Sequence, residues 1–125
     1  MAKWSTMFRA AAVFNWLVGV PMLVATATML AMLGIAAPDE LTFHRLAALL
    51  IALFGAIYWM IAREPLRYRP LAALGVAGKL AVFALFAEAF AAARIPATAM
   101  GVAVGDLLFG LLFAAFLRAT RGMAG

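Results

Sequence analysis

The sequence lacks cysteine altogether and contains a single histidine, His44. Without cysteine the chain has no disulfides, no thiolate metal ligands and no thiol nucleophile. One histidine does not supply the pair of imidazoles that an internal haem or metal site would use. We therefore expect no metal or haem cofactor. Charged residues are also scarce, at 12% of 125 residues, which is too few to cover the surface of a soluble domain.

Apolar residues dominate instead. They make up 69% of the chain, and the mean hydropathy is +1.10. They occur in long blocks that follow neither a helical nor a strand alternation, a pattern typical of helices in contact with lipid. The net charge of +5 comes from basic residues near the ends of these blocks, where membrane topology explains them, so we expect no nucleic-acid partner. The sequence has no phosphate-binding loop, dinucleotide fingerprint or zinc motif.

Four apolar blocks predict four transmembrane helices in a single domain covering residues 1–125. Each block has about 20 residues or more, which is enough to cross a hydrocarbon core. Short polar turns make neighbouring helices antiparallel, which predicts an all-α, up-down four-helix bundle. Pro21 is expected to bend the first helix because it lacks a backbone N–H. The predicted helices cover residues 7–33, 42–62, 71–93 and 97–117.

Basic residues are distributed unequally between the two ends of the predicted bundle. One end has only Arg45 and Arg94. The other end, which we call the arginine-rich end, carries Lys3, Arg9, Arg63, Arg67, Arg69, Arg118 and Arg121. By the positive-inside rule the arginine-rich end and both termini are cytoplasmic, and we expect a bacterial inner-membrane location. Four aromatic residues near this end are expected to form an interfacial belt: Trp4, Tyr58, Trp59 and Tyr68.

Lys79 and Asp106 are charged residues inside predicted membrane-spanning helices, which makes them candidates for a functional site. Their helices are consecutive and antiparallel, and the helical rise leaves an axial offset of roughly 6 Å between them. A lysine side chain spans about that distance, so we predict a Lys79–Asp106 pair. Asn15 and Tyr58 lie roughly 9 Å toward the cytoplasm from their helix midpoints, within reach of the same cluster. Together the four residues predict a polar-based cavity that opens toward the cytoplasm.

The Lys79–Asp106 pair has two interpretations, a ligand or proton site and a structural ion pair that fixes helix register. Glu88 and Arg45 lie at a similar depth near the opposite end, so a second pair is predicted there. The alternatives for Glu88 are a carboxylate directed to the interface and a protonated side chain. The pattern from Gly101 to Gly105 is typical of close helix packing, either within the chain or in a homodimer.

Several short motifs resemble those of small bacterial inner-membrane proteins with four helices: Phe14-Asn15-Trp16, Gly19-x-Pro21, Arg63-x-Pro65, Gly78-Lys79 and Gly105-Asp106. The general layout is similar to the DoxX-like group, some members of which are linked to quinone-coupled respiratory oxidation. No functional residue of that group matches a position in this chain. The chain also resembles small multidrug-resistance transporters in size. Those transporters rely on a glutamate in the first helix, where this chain has no acid.

Three functions are consistent with these features. The first is a non-enzymatic module that binds a small apolar or amphipathic molecule, such as a lipid or quinone, or that serves as an accessory subunit of a larger membrane complex. The second is a small homodimeric transporter that couples transport to protonation of Asp106 or Glu88. The third is a membrane enzyme acting on lipid or quinone, for which the sequence offers no convincing set of acid, base or metal-binding residues.

Overall fold

The computed structural model describes residues 1–123, and over this range every regular element is a helix. The α-helices are α1 (Ala2–Val24), α2 (Thr26–Met32), α3 (Thr42–Arg63), α4 (Arg69–Ala91) and α5 (Met100–Ala119), and a 3₁₀ turn, Ala97–Ala99, precedes α5. Four stretches are long and apolar enough to span a membrane: Ala2–Val24, Thr42–Arg63, Arg69–Ala91 and Ala97–Ala119. The predicted fold class is confirmed, and the chain is an integral membrane protein in contact with the lipid bilayer.

The first span begins five residues earlier than the sequence predicts, at Ala2 rather than Met7. Trp4 holds the extra turn, because its indole packs edge-on against Phe116 with 5.5 Å between ring centroids. α1 both begins and ends earlier than predicted, which moves the middle of the helix toward the N-terminus. Asn15 therefore lies within about 3 Å of the helix midpoint rather than roughly 9 Å from it.

The predicted first helix is interrupted at Ala25, between α1 and α2, four residues beyond the bend predicted at Pro21. α1 accommodates Pro21 and ends at Val24, and Ala25 adopts φ −137° and ψ 50° before α2 begins. At the break, Thr26 Oγ1 donates to the carbonyl of Met22 at 2.5 Å. Because hydrocarbon offers no water to a freed carbonyl, this hydroxyl stabilises the break.

The other three spans agree with their predicted limits to within two residues. α4 includes Pro70 because a proline is tolerated in the first turn, where its missing N–H has no helical partner. Before α3, the hydroxyl and the backbone N–H of Thr42 donate to the carboxylate of Glu40. These two hydrogen bonds hold the pKa of Glu40 below its usual range.

The bundle consists of two closely packed helix pairs, since α1 packs mainly against α3, and α4 against α5. Glycines bring the backbones together in both seams. A Cβ atom at Gly55 would lie 2.5 Å from Trp16 Nε1, and one at Gly19 would lie 2.9 Å from the backbone of α3. In the second pair, a Cβ atom at Gly110 would lie 3.1 Å from the Cβ of Lys79. A larger residue at Gly55 or Gly19 would therefore force a neighbouring group to shift, and one at Gly110 would be in tight contact with Lys79.

The predicted glycine motif contributes to packing at only one of its two glycines. A Cβ atom at Gly105 would lie 2.5 Å from the ring of Phe14, so this position lies in a seam between helices. A Cβ atom at Gly101 would meet nothing within 4 Å among the described residues. The motif therefore serves packing within the chain at Gly105, whereas Gly101 lies on an outward face.

The two helix pairs meet in a core at the arginine-rich end. Phe8 stacks on Phe113 with 4.8 Å between ring centroids and meets Phe116 edge-on at 5.0 Å. Tyr58 is 2% exposed and lies in this core, so its predicted place in an interfacial belt is wrong. The core consists of Phe8, Ala11, Ala12, Tyr58, Ile61, Ala62, Ala72, Phe113 and Phe116. Large apolar residues cover the outward faces, where they are in contact with lipid.

Candidate functional site

Lys79 joins α1 to α5 through two short hydrogen bonds. Its Nζ donates to Asp106 Oδ1 at 2.7 Å and to Asn15 Oδ1 at 2.6 Å. Lys79, Asp106 and Asn15 are all buried, with exposed fractions of 4%, 9% and 5%. The predicted Lys79–Asp106 pair is therefore present, and Asn15 is its third member. We call these three residues the polar triad.

Each member of the polar triad lies near the middle of a membrane-spanning helix. Lys79 is one residue from the midpoint of α4, and Asn15 is two residues from the midpoint of α1. Asp106 is two residues from the midpoint of the Ala97–Ala119 span. At the helical rise these offsets are about 3 Å or less. The triad thus lies near the centre of the bilayer, where an uncompensated charge is most costly.

The seam between α1 and α3 fixes the orientation of Asn15. Its Nδ2 donates to the carbonyl of Ile51 at 2.9 Å, which leaves its oxygen to accept from Lys79. The neighbouring Trp16 donates from Nε1 to the next carbonyl of α3 at 3.1 Å, and Gly55 provides the space for its indole. The hydrogen bonds from Asn15 and Trp16 to carbonyls of α3 fix this face of α1 against α3, so the amide of Asn15 is held in one orientation.

Three aromatic rings surround the ammonium group of Lys79. The ring centroids of Phe14, Tyr58 and Phe109 lie 5.0, 5.2 and 5.8 Å from Nζ. Aromatic faces attract a cation most strongly where water is excluded. Tyr58, which the sequence predicted within reach of this cluster, thus contributes its ring to it.

Phe14 and Phe109 are members of the cluster that the sequence did not predict. Phe14 directly precedes Asn15 on α1. Phe109 follows Asp106 by three residues, so Phe109 and Asp106 lie on the same face of α5. That helical spacing was the available signal. Apolar side chains are so frequent in these helices that the spacing alone did not single them out.

The core closes the triad on the side of the arginine-rich end, where the sequence predicted an open cavity. Phe8 and Phe113 are completely buried on that side, and Phe113 packs against the ring of Tyr58 with 5.0 Å between centroids. The physical reason is the close approach at Gly75, where a Cβ atom would lie 3.0 Å from the ring of Phe113. Access to the triad from that end is therefore blocked by side chains.

One carboxylate oxygen of Asp106 has no hydrogen-bond partner among residues 1–123. Oδ1 accepts from Lys79, and no donor in this part of the chain reaches Oδ2. The side chain of Asp106 is 13% exposed, against 3% for that of Lys79. Since every enclosed polar side-chain atom of the described residues has a partner, Oδ2 lies at an accessible edge of the triad. An ionised carboxylate accepts several hydrogen bonds, so Oδ2 is open to a further donor.

The predicted pair between Glu88 and Arg45 is wrong. Glu88 is instead paired with Arg94, and the two side chains are 63% and 57% exposed at the end of α4. Arg94 lies only six residues further along the chain, whereas α3 and α4 make few contacts with each other. Arg45 lies on an exposed face beside Leu23 and Leu46. Glu88 is therefore an interfacial residue and does not belong to the polar triad.

Residues 1–123 contain no group of three His, Asp or Glu side chains close enough to hold a metal ion. Comparisons with protein-family models, curated proteins and solved structures find no match for this chain. The similarity in layout to the DoxX-like group therefore stays a prediction. The function is inferred from the polar triad and its surroundings.

Proposed function

We propose that this protein is a non-enzymatic membrane module that binds a small amphipathic molecule at the polar triad. The observation that carries the proposal is Asp106 Oδ2, a carboxylate oxygen near the centre of the bundle with no partner among residues 1–123. A carboxylate in hydrocarbon is costly unless donors satisfy it. A bound molecule that donates a hydrogen bond to Oδ2 would meet that requirement.

The chemistry of the triad favours a ligand that donates rather than accepts. Two of the three N–H donors of Lys79 are used by Asn15 and Asp106, and aromatic rings surround the ammonium group. Asn15 uses its amide nitrogen on α3. Because Oδ2 is an acceptor, the matching headgroup carries a hydroxyl or an amine, as in a quinol or a lipid. An apolar tail would lie among the lipid-facing side chains.

The surroundings of the triad support binding rather than catalysis. General acid–base catalysis needs a group that gains and loses a proton at the reacting centre. The ion pair uses both charges of the triad on each other, and the rings of Phe14, Tyr58 and Phe109 surround the ammonium group. An accessory role in a larger membrane complex is compatible with the same site. We further propose the bacterial inner membrane as the location, with both termini cytoplasmic, from the distribution of basic residues.

Proton-coupled transport by a homodimer is the second candidate, because Oδ2 is also open to a proton. Asp106 alone would carry it, since the exposed pairing of Glu88 with Arg94 removes Glu88 from the interior. Reconstitution in liposomes with an imposed pH gradient separates the two functions. A binding module gives no protein-dependent proton flux, whereas a transporter gives flux that Asp106→Asn abolishes.

Native mass spectrometry of the protein extracted with its own lipids tests the proposal. The wild-type protein is expected to retain a small molecule with a hydroxyl or amine group. The double variant Lys79→Met/Asp106→Leu, which replaces the pair with apolar groups of similar volume, is expected to lose that mass while staying folded. Glu88→Gln removes an exposed carboxylate and serves as the matched control. Equal retention by all three proteins would contradict binding at the triad.

A further inference from the structure

A second polar feature lies away from the triad, in a groove between α4 and α5 at the arginine-rich end. The groove has a volume of about 450 Å³. Its wall is apolar and includes Val76 and Leu117, and its rim carries Arg69, Arg118 and Arg121. We call these three arginines the rim arginines. Both helices span the membrane, so an apolar wall at this position faces the hydrocarbon and the rim lies at its boundary.

The rim arginines carry positive charge that no acid in the described residues compensates. The three ion pairs of residues 1–123 are Arg67–Glu64, Lys79–Asp106 and Arg94–Glu88, and none includes a rim arginine. The two remaining acids, Asp39 and Glu40, lie before α3 at the opposite end of the bundle. Three uncompensated guanidinium groups around one groove fit an anion.

Arg69 is ordered by the end of α5 rather than free in solvent. Its Nε donates to Thr120 Oγ1 at 2.9 Å, and its Nη2 donates to the carbonyl of Leu117 at 2.7 Å. Thr120 is 1% exposed, so this anchor is part of the folded structure. Both acceptors are neutral, which fixes the position of the guanidinium without cancelling its charge. The N–H donors that remain on Arg69 are available to a ligand.

The combination of an anionic site with an apolar wall identifies the class of ligand. We propose that the groove binds an anionic phospholipid of the adjacent leaflet, with its phosphate on the rim arginines and an acyl chain against Val76 and Leu117. Guanidinium groups match the geometry of phosphate oxygens. Basic pockets between transmembrane helices at the cytoplasmic side are typical sites for anionic lipids. This site is independent of the ligand proposed for the polar triad.

Lipid titration followed by native mass spectrometry tests the proposal, with full-length protein delipidated in detergent. The probes are phosphatidylglycerol, phosphatidylcholine and inorganic phosphate. Wild-type protein is expected to bind phosphatidylglycerol more tightly than phosphatidylcholine. Arg118→Gln/Arg121→Gln is expected to weaken phosphatidylglycerol binding by about tenfold or more, because each basic residue near the surface contributes appreciably. Both arginines are exposed, so the variant is expected to keep its fold, which circular dichroism checks.

Lys3→Gln/Arg63→Gln is the matched control, since it removes the same charge from the same end of the bundle but outside the groove. It is expected to change phosphatidylglycerol binding by no more than about twofold, because the charge it removes lies away from the bound phosphate. Equal weakening by both double variants would overturn the proposal in favour of diffuse surface charge. Equal binding of the two lipids, or displacement of phosphatidylglycerol by inorganic phosphate at low concentration, would overturn it as well.

Discussion

Two ion pairs among residues 1–123, each between a basic and an acidic side chain, lie in opposite environments. Lys79 and Asp106 are paired near the middle of the bundle, where their side chains are 3% and 13% exposed. Arg94 and Glu88 are paired at the end of α4, where their side chains are 57% and 63% exposed. Removing one partner of a buried pair leaves a charge in an apolar interior, whereas water compensates the partner of an exposed pair. Position in the bundle, not charge, therefore decides which pair is costly to disturb.

The largest effect is expected when one member of the buried pair is removed. Lys79→Met leaves the carboxylate of Asp106 without its charged partner, and we expect the free energy of unfolding to fall by about 3–5 kcal/mol. Reversible unfolding in mixed micelles of nonionic detergent and SDS measures this. The double variant Lys79→Met/Asp106→Leu is the control, because it leaves no buried charge and is expected to recover most of the loss. A loss below about 1 kcal/mol for Lys79→Met would place the pair in the same class as an exposed one.

An intermediate effect is expected in the seam that orients the triad. Gly55→Ala would put a Cβ atom 2.5 Å from Trp16 Nε1, so the indole must shift from the carbonyl that it bonds. We expect a loss of about 1–3 kcal/mol from overpacking, measured by the same unfolding assay. Gly78→Ala is the matched control, since a Cβ atom there meets nothing within 4 Å, and it is expected to be neutral or slightly stabilising. Equal losses for the two variants would contradict a specific role for the packing of Trp16 against Gly55.

The smallest effect is expected at the exposed pair. Glu88→Gln removes the partner of Arg94 at a position that water reaches, and we expect the free energy of unfolding to change by less than about 1 kcal/mol. The unfolding assay at low and high salt checks this, and any loss should shrink as salt screens the pair. A loss as large as that of Lys79→Met would remove the contrast between the two environments.

The sequence was sufficient to predict what depends on position along a helix. Hydropathy gives the number and approximate limits of the spans, and the helical rise brings Lys79 and Asp106 to compatible depths. Hydropathy and helical rise do not predict how a helix is rotated about its axis or which helix packs beside it. Glu88 and Arg45 have similar depths, yet their helices hardly meet, and Glu88 pairs with Arg94 in its own connecting turn. Depth is therefore necessary but not sufficient for predicting a pair.

The side-chain packing around the triad could not be predicted from the sequence either. The carbonyl of Ile51 orients Asn15 only because α1 lies against α3, and neither segment on its own predicts that contact. The same holds for Phe14 and Phe109, which look like ordinary lipid-facing residues until their helices converge on Lys79. The bend at Ala25 rather than Pro21 depends on a hydroxyl that satisfies a particular carbonyl. Each of these features arises from lateral packing.

The direct test of the account is infrared difference spectroscopy on the carboxylate of Asp106. Asp39 is the only other aspartate, so Asp39→Asn with carboxyl-labelled aspartate leaves one labelled carboxylate. We predict the band of an ionised carboxylate that shifts when decylubiquinol or the extracted native lipid is added. Decylubiquinone, whose headgroup has no hydroxyl, is the matched control and should leave the band in place. A band that responds to neither decylubiquinol nor the native lipid, or that reports a protonated acid, would contradict an open carboxylate oxygen as the binding site.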